Sequence, residues 1–188
     1  PHREHLFDSA GLAFPDTQAF NTLPDAEVQK KPFDSSKSIL YYVGDAADAA
    51  AKYSSQGDVI ILNFANGQLP GGGYWSGSLV QEEHLCRRFP LYQQSLFNAK
   101  ESGKCYPIGL NFGEPPKAQT RVLFTENVDC KRSNREKGYA VLGAEEQYTA
   151  HFVAAAAPNL GKKLQVGDSA MEDKIKETMQ NVMLAGHE

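Results

Sequence analysis

The chain has 188 residues, of which 41% are hydrophobic and 22% charged, enough for one domain that buries most of its apolar surface without covalent staples. A net charge of −4 argues against a membrane-surface or general nucleic-acid binder, since either needs a basic face; an anionic small ligand held by backbone donors stays open. The three cysteines, Cys86, Cys105 and Cys130, form no CxxC pair, so neither a metal site nor a disulfide framework is expected, and the setting is expected to be intracellular, cytoplasmic or nuclear. No apolar run is long enough to span a bilayer, and "PHREHLFDSA" has no signal-peptide core.

Residues 1–37 are rich in Pro and polar residues with Phe7, Phe14, Phe20 and Phe33 scattered among them, which reads as an irregular N-terminal arm pinned by aromatic anchors. "SILYYV" (38–43) is a short β-rich run. "DAADAAAKYSS" has high helix propensity, with Asp45 or Asp48 placed to cap it. "DVIILN" (58–63) is a continuous apolar run and predicts a strand buried on both faces, as in a central parallel sheet. Ser78 with Gln81 three residues on predicts a capping box and a helix from Leu79. "LYQQSLFNAKES" predicts a second helix ended by Gly103, and "RVLFTENV", "YAVLG" and "HFVAAAAPN" are further strand candidates. The last element is a helix over "AMEDKIKETMQNVMLAG", with Ser169 and Glu172 as a capping box, Met171, Ile175, Met179, Val182 and Met183 on one face, and Gly186 at its end. Strands alternating with helices predict an α/β layered domain.

The chemistry concentrates between Leu62 and Gln94, where Gly71-Gly72-Gly73 is followed by Gln81-Glu82-Glu83. A strand, a glycine loop and a helix start make an anion site, because glycines let backbone N–H groups approach a phosphate and the helix N-terminus adds partial positive charge. Neither GxxxxGK[ST] nor GxGxxG is present after the strand. A carboxyl group held near an anionic ligand has its pKa pushed up, and such an acid can protonate a glycosidic leaving oxygen.

The stretch "NFANGQLPGGGYWSGSLVQEEHLCRRFPLY" resembles the signature of poly(ADP-ribose) glycohydrolases, in which GGG is followed by six to eight variable residues and QEE; the spacer here is "YWSGSLV". "NFAN" resembles the asparagine-bearing strand end of macrodomains, and "VLFTENVDCKRSNREKGYAVLG" and "VAAAAPN" look like later segments of the microbial branch. The resemblance implies a macrodomain-like three-layer α/β/α fold with a mixed, mostly parallel central sheet over residues 38–188.

It also implies the chemistry: cleavage of ribose–ribose O-glycosidic bonds of poly(ADP-ribose) to release ADP-ribose, with diphosphate-assisted attack by water. Carried over by position, Glu83 is the general acid and Glu82 hydrogen-bonds the adjacent ribose hydroxyls. Gly71, Gly72 and Gly73 supply N–H groups to the diphosphate and distal ribose, Asn66 binds a distal-ribose hydroxyl, and Gln81 buttresses the loop or the adenosine side. Tyr74 and Trp75 stack on a base or ribose, or else pack on the helix; Asn63 belongs to the same pattern or only caps its strand. His84 reads as structural or surface, Arg87 and Arg88 as helix-surface cations able to draw in a polyanion, Cys86 as a small buried residue, and Asn159 as a strand end near the crevice. No cofactor is implied, and the expected partners are ADP-ribose, its polymer and ADP-ribosylated proteins, bound by a monomer. Removal of single ADP-ribose units and non-catalytic ADP-ribose binding are the competing readings; the intact carboxylates favour an enzyme. Members of the branch continue into another strand and a second glycine loop, so the domain is expected to be truncated at its C-terminus.

Overall fold

The computed structural model describes residues 17–20, 40–97, 106–108, 120–157 and 169–186. Within them lie β1 (Thr17–Phe20), α1 (Ala46–Tyr53), β2 (Ile60–Phe64), α2 (Gln81–Arg88), β3 (Val122–Asp129), β4 (Thr149–Ala155) and α3 (Ser169–Ala185). The strands form a mixed sheet in the order β1-β3-β4-β2, in which β2 runs parallel to β4 while β1 and β4 run antiparallel to β3.

Period-2 alternation distributes the strand side chains between two cores. On one face Ile61, Leu123, Phe152 and Ala154 pack with Ala47 and Ala50 of α1 and Leu85, Cys86 and Phe89 near α2. On the other, Val122, Phe124, Val153 and Ala155 pack with Ala185 of α3, Leu62 and Val182. Helices therefore cover both faces, giving the expected three layers. Asp45 is the residue that caps α1, its Oδ1 accepting from the N–H groups of Ala47 at 2.6 Å and Asp48 at 3.4 Å.

Several expectations need correction. Part of the arm is regular: Thr17–Phe20 is a strand paired along β3. Leu40–Val43 forms no strand and is largely solvent-exposed, because β propensity without a pairing partner does not make a strand. Strand β2 is not buried on both faces; Ile60 and Phe64 are exposed, and among the described residues no strand pairs with its outer edge. "YAVLG" makes only an isolated bridge, Val141 to Arg132. "LYQQSLF" is helical with a π turn over Tyr92–Leu96; its continuation, Gly103, Asn159 and the side chains of Ser169 and Met171 lie outside what is described.

Two helix readings change as well. Helix α2 begins at Gln81, with Val80 at the N-cap and no side-chain cap. Ser78 instead donates its N–H to Gly73 O at 3.1 Å, and Gln81 turns its side chain to β2, so neither is free to close a capping box. On α3, Ile175, Met179 and Met183 are exposed while Thr178, Asn181 and Ala185 are buried. Two polar bonds set that rotation: Asn181 Nδ2 donates to Thr120 O at 2.8 Å and the Thr120 hydroxyl to Glu177 Oε1 at 3.0 Å.

Candidate active site

The site is built where β2 ends and α2 begins. Asn63 is fully buried, and its Nδ2 lies 3.4 Å from Glu82 Oε1. The loop then doubles back: Asn66 Oδ1 accepts from the N–H groups of Gln68 and Leu69 at 2.9 and 3.0 Å, an Asx turn that aims the chain toward the glycines. Both carboxylates of α2 reach into this loop. Glu82 accepts from the N–H of Asn66 at 2.7 Å and of Gly71 at 3.2 Å. Glu83 Oε1 accepts from the N–H of Gly73 at 2.7 Å, whereas its Oε2 is buried without a hydrogen-bond partner.

The glycines are there for proximity. Gly72 has φ +53°, and a Cβ on it would stand 2.5 Å from Glu83 Oε1 and 3.1 Å from Glu82 Oε2. At Gly71, φ is +70° and a Cβ would stand 2.7 Å from the Tyr92 ring. The loop's N–H groups are engaged inside the protein: Gly71 and Gly73 on the carboxylates, Gly72 on Leu69 O at 2.9 Å. Gln81 is likewise engaged, its Oε1 accepting from Phe64 N–H at 2.7 Å and its Nε2 donating to Leu62 O at 2.8 Å. It satisfies the outer edge of β2 as a neighbouring strand would.

Electrostatics separates the carboxylates around α2. Burial pushes the Glu82 carboxyl up to about 7, against the donors on Asn66, Asn63 and Gly71, and the neighbouring Glu83 charge adds to the rise. At Asp45, burial works against the carboxylate too, but the hydrogen bond and charge of His84, the Ala47 N–H and Arg88 outweigh it and hold its pKa below the ordinary value.

The aromatic pair divides. Tyr74 is buried and stacked on Tyr92, centroids 5.5 Å apart, while Trp75 stands edge-on to both and is partly exposed. Arg87 and Arg88 are buried rather than on the helix surface, because the packing of α2 between the loop and α1 leaves no wet face at its last turn. Arg87 lies 5.5 Å from the Tyr74 ring centroid and donates to Tyr74 O at 3.4 Å; Arg88 donates to Asp45 and Asp48 at 3.2 and 2.6 Å. His84 bridges Asp45 Oδ2 and the Tyr139 hydroxyl, each at 2.7 Å. Cys86 is buried and its thiol is pushed well above its ordinary pKa by that burial, which leaves it a packing residue.

The structure thus brings Glu82, Glu83, Asn66 and the three glycines into one cluster and adds three residues whose importance the sequence underweights. Asn63 had a signal in the "NFAN" spacing. Tyr92, which sets the space at Gly71, and Asp45, which is distant in sequence from α2, had none. Among the described residues no group of His, Cys, Asp or Glu side chains is arranged to hold a metal ion, and no helix is long and apolar enough to cross a membrane.

Residues 7–133 match the family model described as "Microbial-type PARG, catalytic domain", PARG being poly(ADP-ribose) glycohydrolase. A solved structure of a mutant poly(ADP-ribose) glycohydrolase from Thermomonospora curvata aligns with a TM-score of 0.57 at 24% identity, covering 76% of this chain and 52% of that one. The same enzyme bound to the inhibitor ADP-HPD aligns with 0.55 at 23% identity, covering 76% and 52%. A Deinococcus radiodurans poly(ADP-ribose) glycohydrolase in complex with ADP-ribose aligns with 0.54 at 19% identity, covering 76% and 55%. These likenesses establish a macrodomain-like α/β fold, of which the chain spans about half the length of the solved structures it matches. No significant match is found among curated proteins.

Proposed function

Because this chain belongs to the microbial-type poly(ADP-ribose) glycohydrolase catalytic-domain family, we propose that the protein it represents hydrolyses ribose–ribose O-glycosidic bonds of poly(ADP-ribose) and releases ADP-ribose. The observation that carries the reading is the pair of adjacent buried carboxylates gripped by a glycine loop, with one oxygen, Glu83 Oε2, left without a partner.

The roles follow from what each atom has left to offer. Glu82, raised to about 7, keeps a proton in the site up to neutral pH. Glu83 Oε2 is the oxygen that meets no loop donor, so Glu83 delivers the proton to the leaving 2′-oxygen. Glu82, fixed by three donors, orients the ribose hydroxyls. With their N–H groups engaged internally, Gly71, Gly72 and Gly73 serve the diphosphate by leaving room for it, and by keeping the carboxylates in place beside it. No hydrogen bond among the described residues engages the Asn66 amide nitrogen, which is the donor for a distal-ribose hydroxyl. Trp75, partly exposed beside the loop, is the ring that stacks on the ligand, since Tyr74 is buried. Gln81 acts by holding α2 to β2. The region 38–188 is the catalytic body, with the arm before it contributing β1. We place the protein inside the cell as a monomer acting without a cofactor on the polymer carried by ADP-ribosylated proteins.

The test is release of ADP-ribose from labelled poly(ADP-ribose) and from a mono-modified protein by the parent chain and by Glu83→Gln. Release from the polymer by the parent alone supports the reading. Release only from the mono-modified substrate reassigns the substrate. Binding without release from either makes the protein a reader, and equal release by the variant removes Glu83 from the mechanism.

A further inference from the structure

We propose that His84 and Asp45 form a positioning clasp on the back of α2, which holds Glu82 and Glu83 in register with the glycine loop. The inference rests on the functional reading above only for its activity readout.

Helix α2 is eight residues long and has no side-chain N-cap. A helix that short is marginal by itself, so its rotation comes from the groups around it. Leu85, Cys86 and Phe89 bury it, but apolar burial is non-directional and tolerates small rotations. Direction comes from polar contacts on two sides. Toward the loop, Glu82 and Glu83 take the N–H groups of Asn66, Gly71 and Gly73. Away from it, His84 and Arg88, one turn apart and so on one side of the helix, both meet Asp45.

His84 is held at both nitrogens by different elements: Nε2 on Asp45 before α1, and Nδ1 on Tyr139 in the loop after β3. Nε2–H donates to Asp45, and Nδ1 meets the Tyr139 hydroxyl, which can donate to it or accept from it. The two anchors are themselves fixed. Asp45 Oδ1 is committed to capping α1. Tyr139 sits at φ +56°, costly for a tyrosine, and is kept there by its N–H to Asn134 O at 3.1 Å and by Arg132 Nη1 on its carbonyl at 3.1 Å. Arg88 O accepts from the N–H groups of Lys131 and Arg132 at 2.9 and 3.2 Å, tying the same loop to the end of α2. The loop side has no slack: Gly72 has no room for even a methyl group beside Glu83. A shift of about 1 Å at reacting groups costs about 100-fold in rate, so the residue next to Glu83 in the chain governs that distance.

The experiment compares the full chain with His84→Ala and His84→Gln, the latter keeping a donor and an acceptor on a planar group. Amide proton shifts and hydrogen exchange of Asn66 and Gly73 report the carboxylate grip without substrate. In His84→Ala both amides are expected to move upfield and exchange about 10-fold faster or more, while those of Phe152 and Val153 in β4 stay protected; His84→Gln restores them. In the hydrolysis assay His84→Ala lowers kcat about 10-fold or more with KM changed less than about 3-fold. Unchanged Asn66 and Gly73 amides in a folded His84→Ala protein, or a lower melting temperature with unchanged kcat per folded molecule, overturn the clasp. If His84→Ala does not fold, Asp45→Asn, which keeps the cap of α1, is read the same way. A parent protein that hydrolyses nothing overturns the functional reading, and the amide readout still decides the clasp.

Discussion

Asp45 and Glu82 are carboxylates on opposite sides of α2, both half-enclosed or buried and both accepting backbone N–H groups, yet burial wins at one and loses at the other. Glu82 is pushed up to about 7; Asp45 is held below its ordinary value. The difference lies in the company each keeps. Asp45 faces His84 and Arg88, whereas Glu82 faces neutral donors and a second carboxylate. At Glu82 the three donors leave burial ahead, whereas at Asp45 the hydrogen bond and charge of His84, the Ala47 N–H and Arg88 together outweigh it. One side of the helix is therefore stable ionic scaffolding, and the other stores a proton.

The sharpest break of that contrast is Glu83→Gln, which keeps the shape of the proton-storing side and removes the carboxyl group proposed as the acid. Hydrolysis of labelled polymer should fall about 1,000-fold, within the range for a general acid, with ADP-ribose binding retained by calorimetry. Next is the pH dependence of stability. Glu82 has a raised pKa in the folded state, so its contribution is fully present below pH 4.5 and is lost as pH rises through about 7. That amounts to about 3 kcal/mol. Denaturant unfolding from pH 4 to 8 should show this fall in the parent protein and its absence in Glu82→Gln.

Third, Gly72→Ala adds a methyl group where 2.5 Å separates the site from Glu83 Oε1, at φ +53°. It should cost about 2 kcal/mol in denaturant unfolding, while Gly77→Ala, with φ +84° and open space around it, should cost about 1 kcal/mol. Equal costs would mean that only the backbone angle matters at Gly72. The smallest effect belongs to the ionic side. Asp45→Asn keeps the cap and removes the charge, so it should destabilise by about 1 kcal/mol at neutral pH. The sign is opposite to that of Glu82: the folded pKa of Asp45 is lowered, so its contribution is present above the usual aspartate value and disappears as pH falls below it. The parent and variant unfolding curves should separate above the usual aspartate value and converge as pH falls below it.

Legibility in the sequence followed locality. The "GGG" and "QEE" groups, the asparagines before them and the strands around "VIILN" and "VLFTENV" could be read because neighbouring residues carry their signal. The start of α2 was misplaced because Ser78 and Gln81 make a plausible capping box in sequence while tertiary partners, Gly73 O and β2, claim both. The apolar face of α3 was legible but not which face is buried: Met179 and Met183 are exposed, and Asn181 and Thr178 are the residues drawn inward. Arg87 and Arg88 read as helix-surface cations, and His84 as structural or surface, since nothing nearby in sequence shows Tyr74 packed on Arg87 or the aspartates that meet His84 and Arg88.

By itself, then, the sequence determined the layered α/β class, the loop–helix junction and the identity of its carboxylates, because flexible backbone, apolar alternation and acidic pairs are local properties of the chain. Only the tertiary structure decided how those carboxylates behave. It turned the glycine N–H groups inward onto Glu82 and Glu83, surrounded Glu82 with neutral donors, and set His84 between Asp45 and Tyr139. Those outcomes depend on distances between segments far apart in the chain, and charge interactions follow distance in space.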